Sequence, residues 1–259
     1  CNFTVKFSNF HKAIIDAEAN FITMEKVLNA NNEGVELLLA GKYSAAKTSL
    51  RTALIHLKEF HDECQCLRQE SAESQSCEIK GTSQTFGNLI LENRRVPDSP
   101  IKHSSNQQHY IYRNAIVAFL DLTSKKEVSN QQLPSSSGLT AMIVFNLSLV
   151  YHCHADRYSS SSNLMKVLRL YKKALDALKT APWLSHKSHN DVTILGILNN
   201  MGAVFHELAK YEQAEDCFKA LKNVFMSSKD GVVALEAGAR GGMMMNVLFL
   251  DQPKTARAA

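Results

Sequence analysis

Two stretches of the chain, 29–54 and 197–221, share one spacing of apolar, small and polar positions. In each stretch, twelve residues separate a glycine from an alanine, a tyrosine precedes the alanine by three positions, and an apolar residue follows it by four. The two sets are Gly34, Tyr43, Ala46 and Leu50, and Gly202, Tyr211, Ala214 and Phe218. A glycine inside a helix costs about 1 kcal/mol relative to alanine. We therefore expect two helices that cross closely, the glycine of the first facing the alanine of the second.

A looser copy of the same spacing lies between them, at 141–175. Ser148 takes the small position of its first helix and Val167 the corresponding position of its second. The separation becomes nineteen residues, because a serine-rich stretch at 157–163 intervenes. We expect that stretch to lengthen the turn of this hairpin by seven residues.

These three stretches resemble the tetratricopeptide repeat, in which a large apolar residue, Leu-Gly, Tyr and Ala-x-x-x-Phe follow one another on a helical hairpin. The copy nearest to this pattern carries it as Leu198, Met201-Gly202, Phe205 and Ala214-x-x-x-Phe218. The resemblance implies an all-α fold, an α-solenoid of antiparallel helix hairpins. It also implies a non-catalytic scaffold that binds a peptide or helical segment of a partner protein in a concave groove.

The remaining sequence divides around the repeats. We place them at 27–60, 137–182 and 183–229, after an N-terminal segment at 1–26 that is partly helical. The polar stretch 61–136 is punctuated by Pro97, Pro100 and Pro134 and is interpreted as an inserted loop. Within it, 86–92 and 109–122 are apolar, β-branched or aromatic and favour short strands laid on the helices. A capping helix at 230–252 and a flexible tail at 253–259 complete the prediction.

Three asparagines recur at one position of the repeats, two residues before the small residue: Asn32, Asn146 and Asn200. The resemblance places this position in the concave groove, where an amide side chain can bond the backbone of an extended peptide. A polar, solvated helix face explains the same residues equally well. The full candidate set for partner binding is Asn32, Asn146, Asn200, His152, His206 and Glu207.

Composition limits the classes of partner and the cellular compartment that we expect. The net charge of +4 is spread among acidic residues, so neither nucleic acid nor an anionic membrane is expected. Asn146, Ser148 and His152 interrupt the longest apolar run, and we expect a soluble protein. Six irregularly placed cysteines favour free thiols in the cytoplasm or nucleus. The chain begins with Cys1, which leaves the natural N-terminus open, and the oligomeric state is open as well.

Motifs for catalysis are missing from the sequence. It contains no nucleophile elbow, phosphate loop, paired-histidine metal helix or dinucleotide fingerprint, so we expect no enzyme, no cofactor and no metal. The cluster at 61–66, His-Asp-Glu-Cys-Gln-Cys, lacks a second ligand pair at metal spacing. A basic helix face, Lys166, Arg169, Lys172, Lys173 and Lys179, favours solvent over an anion or partner site.

Two alternatives to a scaffold remain. The helices could support an enzymatic or metal site formed by the insertion and the groove histidines, or the chain could be a self-associating structural module.

Overall fold

The computed structural model describes residues 2–73, 88–97, 109–121, 136–158, 161–180 and 187–248. Six helices in these ranges form three consecutive hairpins: α1 (Asn2–Leu39) with α2 (Tyr43–Glu73), α3 (Ser136–Tyr158) with α4 (Ser161–Thr180), and α5 (Lys187–Glu207) with α6 (Tyr211–Ser227). Two shorter helices follow, α7 (Lys229–Ala234) and α8 (Ala237–Leu248). Strands β1 (Asn88–Arg95) and β2 (Asn114–Asp121) pair antiparallel. The described chain is therefore mostly helical, with one small sheet.

Each hairpin packs on the next one along the chain. The second helix of one hairpin contacts the first helix of the following hairpin, α2 on α3 and α4 on α5. The buried apolar side chains form one continuous core that runs through all three hairpins and includes β2. Residues 115–118 of β2 are buried, and β2 packs on α1 and α3.

The first and third hairpins turn in the same way. In both, the chain leaves the first helix through a residue with positive φ, Gly41 at 69° and Ala209 at 55°. The next residue, Lys42 or Lys210, donates its backbone N–H to a carbonyl five positions earlier, at 2.8 Å. This is the six-to-one hydrogen bond of a left-handed helix cap, a conformation that suits glycine and costs an alanine about 1–2 kcal/mol.

The mid-helix glycines do make room for the second helix, but not for its alanine. A Cβ built on Gly34 would lie 2.6 Å from Cγ of Leu50, and one on Gly202 would lie 2.4 Å from Cε1 of Phe218. The expectation that each glycine faces the alanine is thus corrected by four residues, one helical turn. The large apolar side chain fills the space that the glycine leaves.

Several boundaries differ from the sequence prediction. Residues 2–26 are helical throughout as part of α1, and α2 continues to Glu73, so the helix enters the segment interpreted as a loop from residue 61. The serine-rich stretch does not lengthen a turn by seven residues, since α3 ends at Tyr158 and α4 begins at Ser161. Serine is favoured at helix starts as well as in loops.

The segment predicted as one capping helix, 230–252, contains two helices in its described part, with a break after Ala234. The break lets Leu235 insert into the core, where it is 3% exposed. The strand-like segments 86–92 and 109–122 overlap β1 and β2, but β1 continues to Arg95 and β2 begins only at Asn114. Our expectations for 74–87, 98–108, 122–135 and the tail at 253–259 lie outside the described residues.

One helix in the described ranges is long and apolar enough to cross a membrane. It covers Ser137–Tyr158 within α3, and 89% of its apolar window is buried inside the fold. Its polar residues have partners there: Asn146 bonds β2, Ser148 donates to the Val144 carbonyl at 2.6 Å, and His152 contacts Tyr171.

Candidate functional site: an asparagine ladder

The candidate groove asparagines lie in one row and hold an extended segment of the same chain. Asn32, Asn146 and Asn200 each accept a hydrogen bond from the backbone N–H of one residue in 109–121 and donate one to the carbonyl of that same residue. A fourth asparagine on α8, Asn246, does the same. We call these four residues the asparagine ladder, and the surface that they line the groove.

The ladder binds residues on one edge of the segment, alternate positions with a gap at Asn114. From Asn246 to Asn32, its four members bind Tyr110, Tyr112, Ile116 and Ala118 in that order, all at 2.7–3.0 Å. Alternate residues of an extended chain present their N–H and C=O groups to the same edge. One edge of the segment is therefore paired with amide side chains where a neighbouring strand would otherwise lie.

The opposite edge of the segment pairs with β1. Ala118 lies opposite Leu91 and Ile116 opposite Asn93 in the antiparallel register, and beyond the strand Val96 donates its N–H to the Arg113 carbonyl at 2.8 Å. The Arg113 side chain forms a 2.6 Å ion pair with Asp156 of α3. The segment is thus fixed by sheet pairing, by side-chain amides and by charge.

Two further asparagines join the ladder members in pairs. Asn31 donates to the Ile116 carbonyl at 3.1 Å and accepts from Asn146 at 2.9 Å. Asn199 donates to the Tyr110 carbonyl at 2.9 Å and accepts from Asn246 at 2.7 Å. The three-asparagine unit at α1 and α3 therefore recurs at α5 and α8, displaced by six residues along the segment.

Glycines on α5 and α8 provide room for the tyrosine rings of the segment. A Cβ on Gly196, one turn before Asn200, would lie 2.4 Å from the Tyr112 ring, and one on Gly242, one turn before Asn246, would lie 2.3 Å from the Tyr110 ring. In Gly-x-x-x-Asn the asparagine binds the backbone of a tyrosine while the glycine accommodates its ring. These two helices thus leave room for aromatic side chains at two positions of the segment.

His152 does not face the segment. It is buried on α3, with Nδ1 3.2 Å from the hydroxyl of Tyr171, and that hydroxyl accepts a hydrogen bond from Asn200 at 2.9 Å. Burial, with the charge of Arg113, lowers the pKa of His152 to about 3, so the imidazole is neutral at pH 7. Nδ1 can then accept the Tyr171 proton, and His152 supports Asn200 from behind the ladder.

His206 lies at one end of the groove, beside a histidine that the sequence prediction did not include. The ring centroids of His206 and His109 are 4.1 Å apart, and the ring of Phe218 also packs on His109, at 5.4 Å between centroids. Burial lowers the pKa of both imidazoles, that of His109 to about 4. Glu207 is largely exposed beyond them, and partial burial with the charge of Asp156 raises its pKa.

One observed contact bears on the alternative of a metal or enzymatic site. The insertion and a groove histidine do meet, at His109 and His206, but within the described ranges no three histidine, cysteine, aspartate or glutamate side chains converge as metal ligands. Cys153 and Cys217 are buried and form no disulfide, and burial raises the pKa of Cys217 to about 12, which disfavours a nucleophilic thiolate. The side chains of Cys64 and Cys66 lie outside the described residues.

Sequence reasoning missed Asn31, Asn199 and Asn246. A signal for the first two was present, because the first and third repeats both contain Asn-Asn-x-Gly, at 31–34 and 199–202. Asn246 has no small residue two positions later, and only its shared Gly-x-x-x-Asn spacing with Gly196 and Asn200 could have identified it.

Comparison with known proteins adds no family to this description: no protein-family model, curated protein or solved structure matches the chain.

Proposed function

We propose that this protein is a tetratricopeptide-like solenoid and a non-catalytic scaffold that binds an extended segment of a partner protein through the asparagine ladder. The observation that carries the proposal is the double hydrogen bond from each ladder asparagine to the N–H and C=O of one residue. Such contacts recognise the backbone of an extended chain and do not depend on a particular side chain. They are the side-chain counterpart of the main-chain hydrogen bonds by which a sheet edge accepts a peptide.

The segment 109–121 supports the proposal by defining the ligand. A partner segment that binds the same ladder is extended, supplies N–H groups at the four bonded positions and carries aromatic residues where Gly196 and Gly242 leave space. Proline is excluded at those four positions, since it has no N–H.

The same segment also competes with any partner. A tethered segment acts at an effective concentration of about millimolar. A partner therefore binds only when its affinity exceeds that competition or when the segment has left the groove. In this proposal the segment 109–121 is an internal occupant that limits access to the ladder.

The direct test supplies the segment from outside. A full-length variant carries a glycine-serine stretch of equal length in place of 109–121, and its helical circular dichroism is compared with that of the wild type. A fluorescent peptide of sequence HYIYRNAIVAFLD is then titrated and followed by anisotropy. We expect saturable binding to the variant and none to the wild type, whose groove is already filled.

Two controls make the result specific. Proline in the peptide at the positions of Tyr112 and Ile116 removes N–H groups that the ladder accepts, and we expect binding to disappear. Asn146→Ala with Asn200→Ala, added to the segment-replaced protein, is expected to weaken binding at least about tenfold, or about 1.4 kcal/mol. A helical variant that does not bind the peptide would show that the groove is a closed internal joint and would refute the proposal.

A further inference from the structure

Three positive side chains from two helices meet around one tyrosine, away from the ladder contacts. Tyr151 of α3 is 5% exposed, and its hydroxyl accepts a 2.7 Å hydrogen bond from Nη2 of Arg51 on α2. The Nζ atom of Lys47, one turn earlier on α2, lies 4.6 Å from the ring centroid of Tyr151. The Nζ atom of Lys166, on α4, lies 4.4 Å from the same centroid.

This cluster is unbalanced in charge. Within the described part of the chain, the carboxylates in ion pairs serve other bases: Asp156 pairs with Arg113, and Glu36 with Arg94. No carboxylate in the described ranges forms an ion pair with Lys47, Arg51 or Lys166. Like charges that converge without a counter-ion repel one another.

The electrostatics of the cluster agree with this geometry. Burial lowers the pKa of Lys47, Tyr151 partly opposes this, and the charges of Lys166 and Arg51 lower the pKa further. Burial alone would raise the pKa of Tyr151. The hydrogen bond from Lys166 and the charges of the three cations outweigh that effect, so the pKa of Tyr151 falls below its ordinary value. An anion at this point would relieve both effects.

We propose that Lys47, Arg51, Lys166 and the Tyr151 hydroxyl form a binding site for a single phosphate group. A phosphate monoester carries a charge of about −1.5 to −2 at pH 7 and three acceptor oxygens, which match three converging cations better than a singly charged carboxylate does. The phosphate is either free in solution or attached to a side chain of a partner protein, and the chemistry of the site is the same in both cases.

The placement of the cations argues against a polyanion such as nucleic acid. Binding along a nucleic acid strand needs cations spaced to follow successive phosphates. Here the cations converge on one ring, and Lys166 is the single member of the basic face of α4 that points into the cluster. The sequence pattern of α4 alone indicated a solvent-exposed basic face. It could not show that Lys47 and Arg51 of α2 lie next to Lys166.

The test uses the full chain at constant ionic strength. Inorganic phosphate, a short phosphoserine peptide and its unphosphorylated counterpart are titrated by calorimetry. We expect phosphate and the phosphopeptide to bind and the unphosphorylated peptide not to bind. A tighter phosphopeptide identifies a partner protein as the source, whereas binding of inorganic phosphate alone identifies the free ion. Both results support the site.

The variants Lys47→Met and Lys166→Met, combined, are expected to weaken phosphate binding at least about tenfold. Lys172→Met, an exposed lysine on the same helix, is the matched control and is expected to change binding less than about twofold. Equal binding by the double variant and the control would overturn the proposal, as would tighter binding of a single-stranded oligonucleotide than of the phosphopeptide.

A stability measurement keeps the proposal testable if binding is weak. In phosphate-free buffer, Lys166→Met is expected to leave the melting temperature unchanged or raise it, because one repelling charge is removed. Adding phosphate is expected to raise the melting temperature of the wild type but not that of the variant. If Lys166→Met lowers the melting temperature and phosphate has no effect on either protein, the cluster is only a cation–π packing arrangement and the proposal is wrong.

Discussion

Replacing Asn146 by alanine tests whether the ladder holds the fold together. Asn146 is fully buried, accepts from the Ile116 N–H at 2.9 Å, and donates to the Ile116 carbonyl at 2.7 Å and to Asn31 at 2.9 Å. The alanine variant leaves the Ile116 N–H without its acceptor and Oδ1 of Asn31 without its donor. The Ile116 carbonyl keeps the hydrogen bond from Asn31.

The magnitude follows from these unpaired groups. Each buried polar group left unsatisfied costs about 1–3 kcal/mol, so two of them give about 2–6 kcal/mol. Asn32 makes the corresponding pair of hydrogen bonds with Ala118 but is only half-buried, so water can replace the amide. We expect Asn32→Ala to cost about 0.5–1.5 kcal/mol, the net value of ordinary hydrogen bonds.

Urea unfolding followed by far-ultraviolet circular dichroism measures this difference. Asn223→Ala is the control, because Asn223 is exposed on α6 and its replacement is expected to stay within about 0.5 kcal/mol of the wild type. The expected order of destabilisation is Asn146→Ala, then Asn32→Ala, then Asn223→Ala. If Asn146→Ala unfolds at the same urea concentration as Asn223→Ala, the ladder does not contribute to the stability of the fold.

Three further predictions are checked by thermal melting. Gly242→Ala is expected to destabilise the fold by about 1–3 kcal/mol, because its Cβ would overlap the Tyr110 ring. Gly241→Ala is the control, since the space around its Cβ is open, and we expect it to be neutral or to stabilise by up to about 1 kcal/mol. Equal effects of the two substitutions would contradict the packing argument. Ala209→Gly is expected to stabilise by about 1 kcal/mol by relieving the positive φ, and an unchanged melt would contradict the strain. Burial and His206 hold the pKa of His109 at about 4 in the fold, below the ordinary value of about 6.5, so stability is retained above pH 6.5 and lost as pH falls from 6.5 to 4. His109→Phe is expected to reduce the pH-dependent loss in that window, and an identical pH profile would contradict it.

The sequence predicted the helical class and the alignment of the groove asparagines because both depend on local spacing. Asn32, Asn146 and Asn200 occupy equivalent positions of equivalent helices, so any regular stacking of the hairpins brings them into one row. Helical content and the presence of a small sheet were likewise accessible from apolar periodicity and from β-branched runs.

The sequence could not predict that residues 109–121 bind the row of asparagines, because this depends on contacts between distant parts of the chain. Asn32 and Ala118 are 86 residues apart in sequence, and an asparagine that bonds backbone leaves no complementary side-chain pattern in its partner. For the same reason, sequence alone allowed the asparagines to be exposed ligands whose removal spares the fold. Their burial against β2 leads us to expect a loss of stability as well.

The order in which the ladder meets the segment has a consequence for cooperativity. Along residues 110 to 118 the successive contacts come from α8, α5, α3 and α1, the reverse of the helix order in the chain. Stacked repeats that touch only their neighbours have stabilities that add pair by pair, and their ends can fray independently. Here one continuous stretch of backbone joins the first helix to the last, so opening either end disturbs contacts at the other. During synthesis the segment also emerges before α3, α5 and α8, so three of the four ladder asparagines are made after it, and Asn246 is made only with α8.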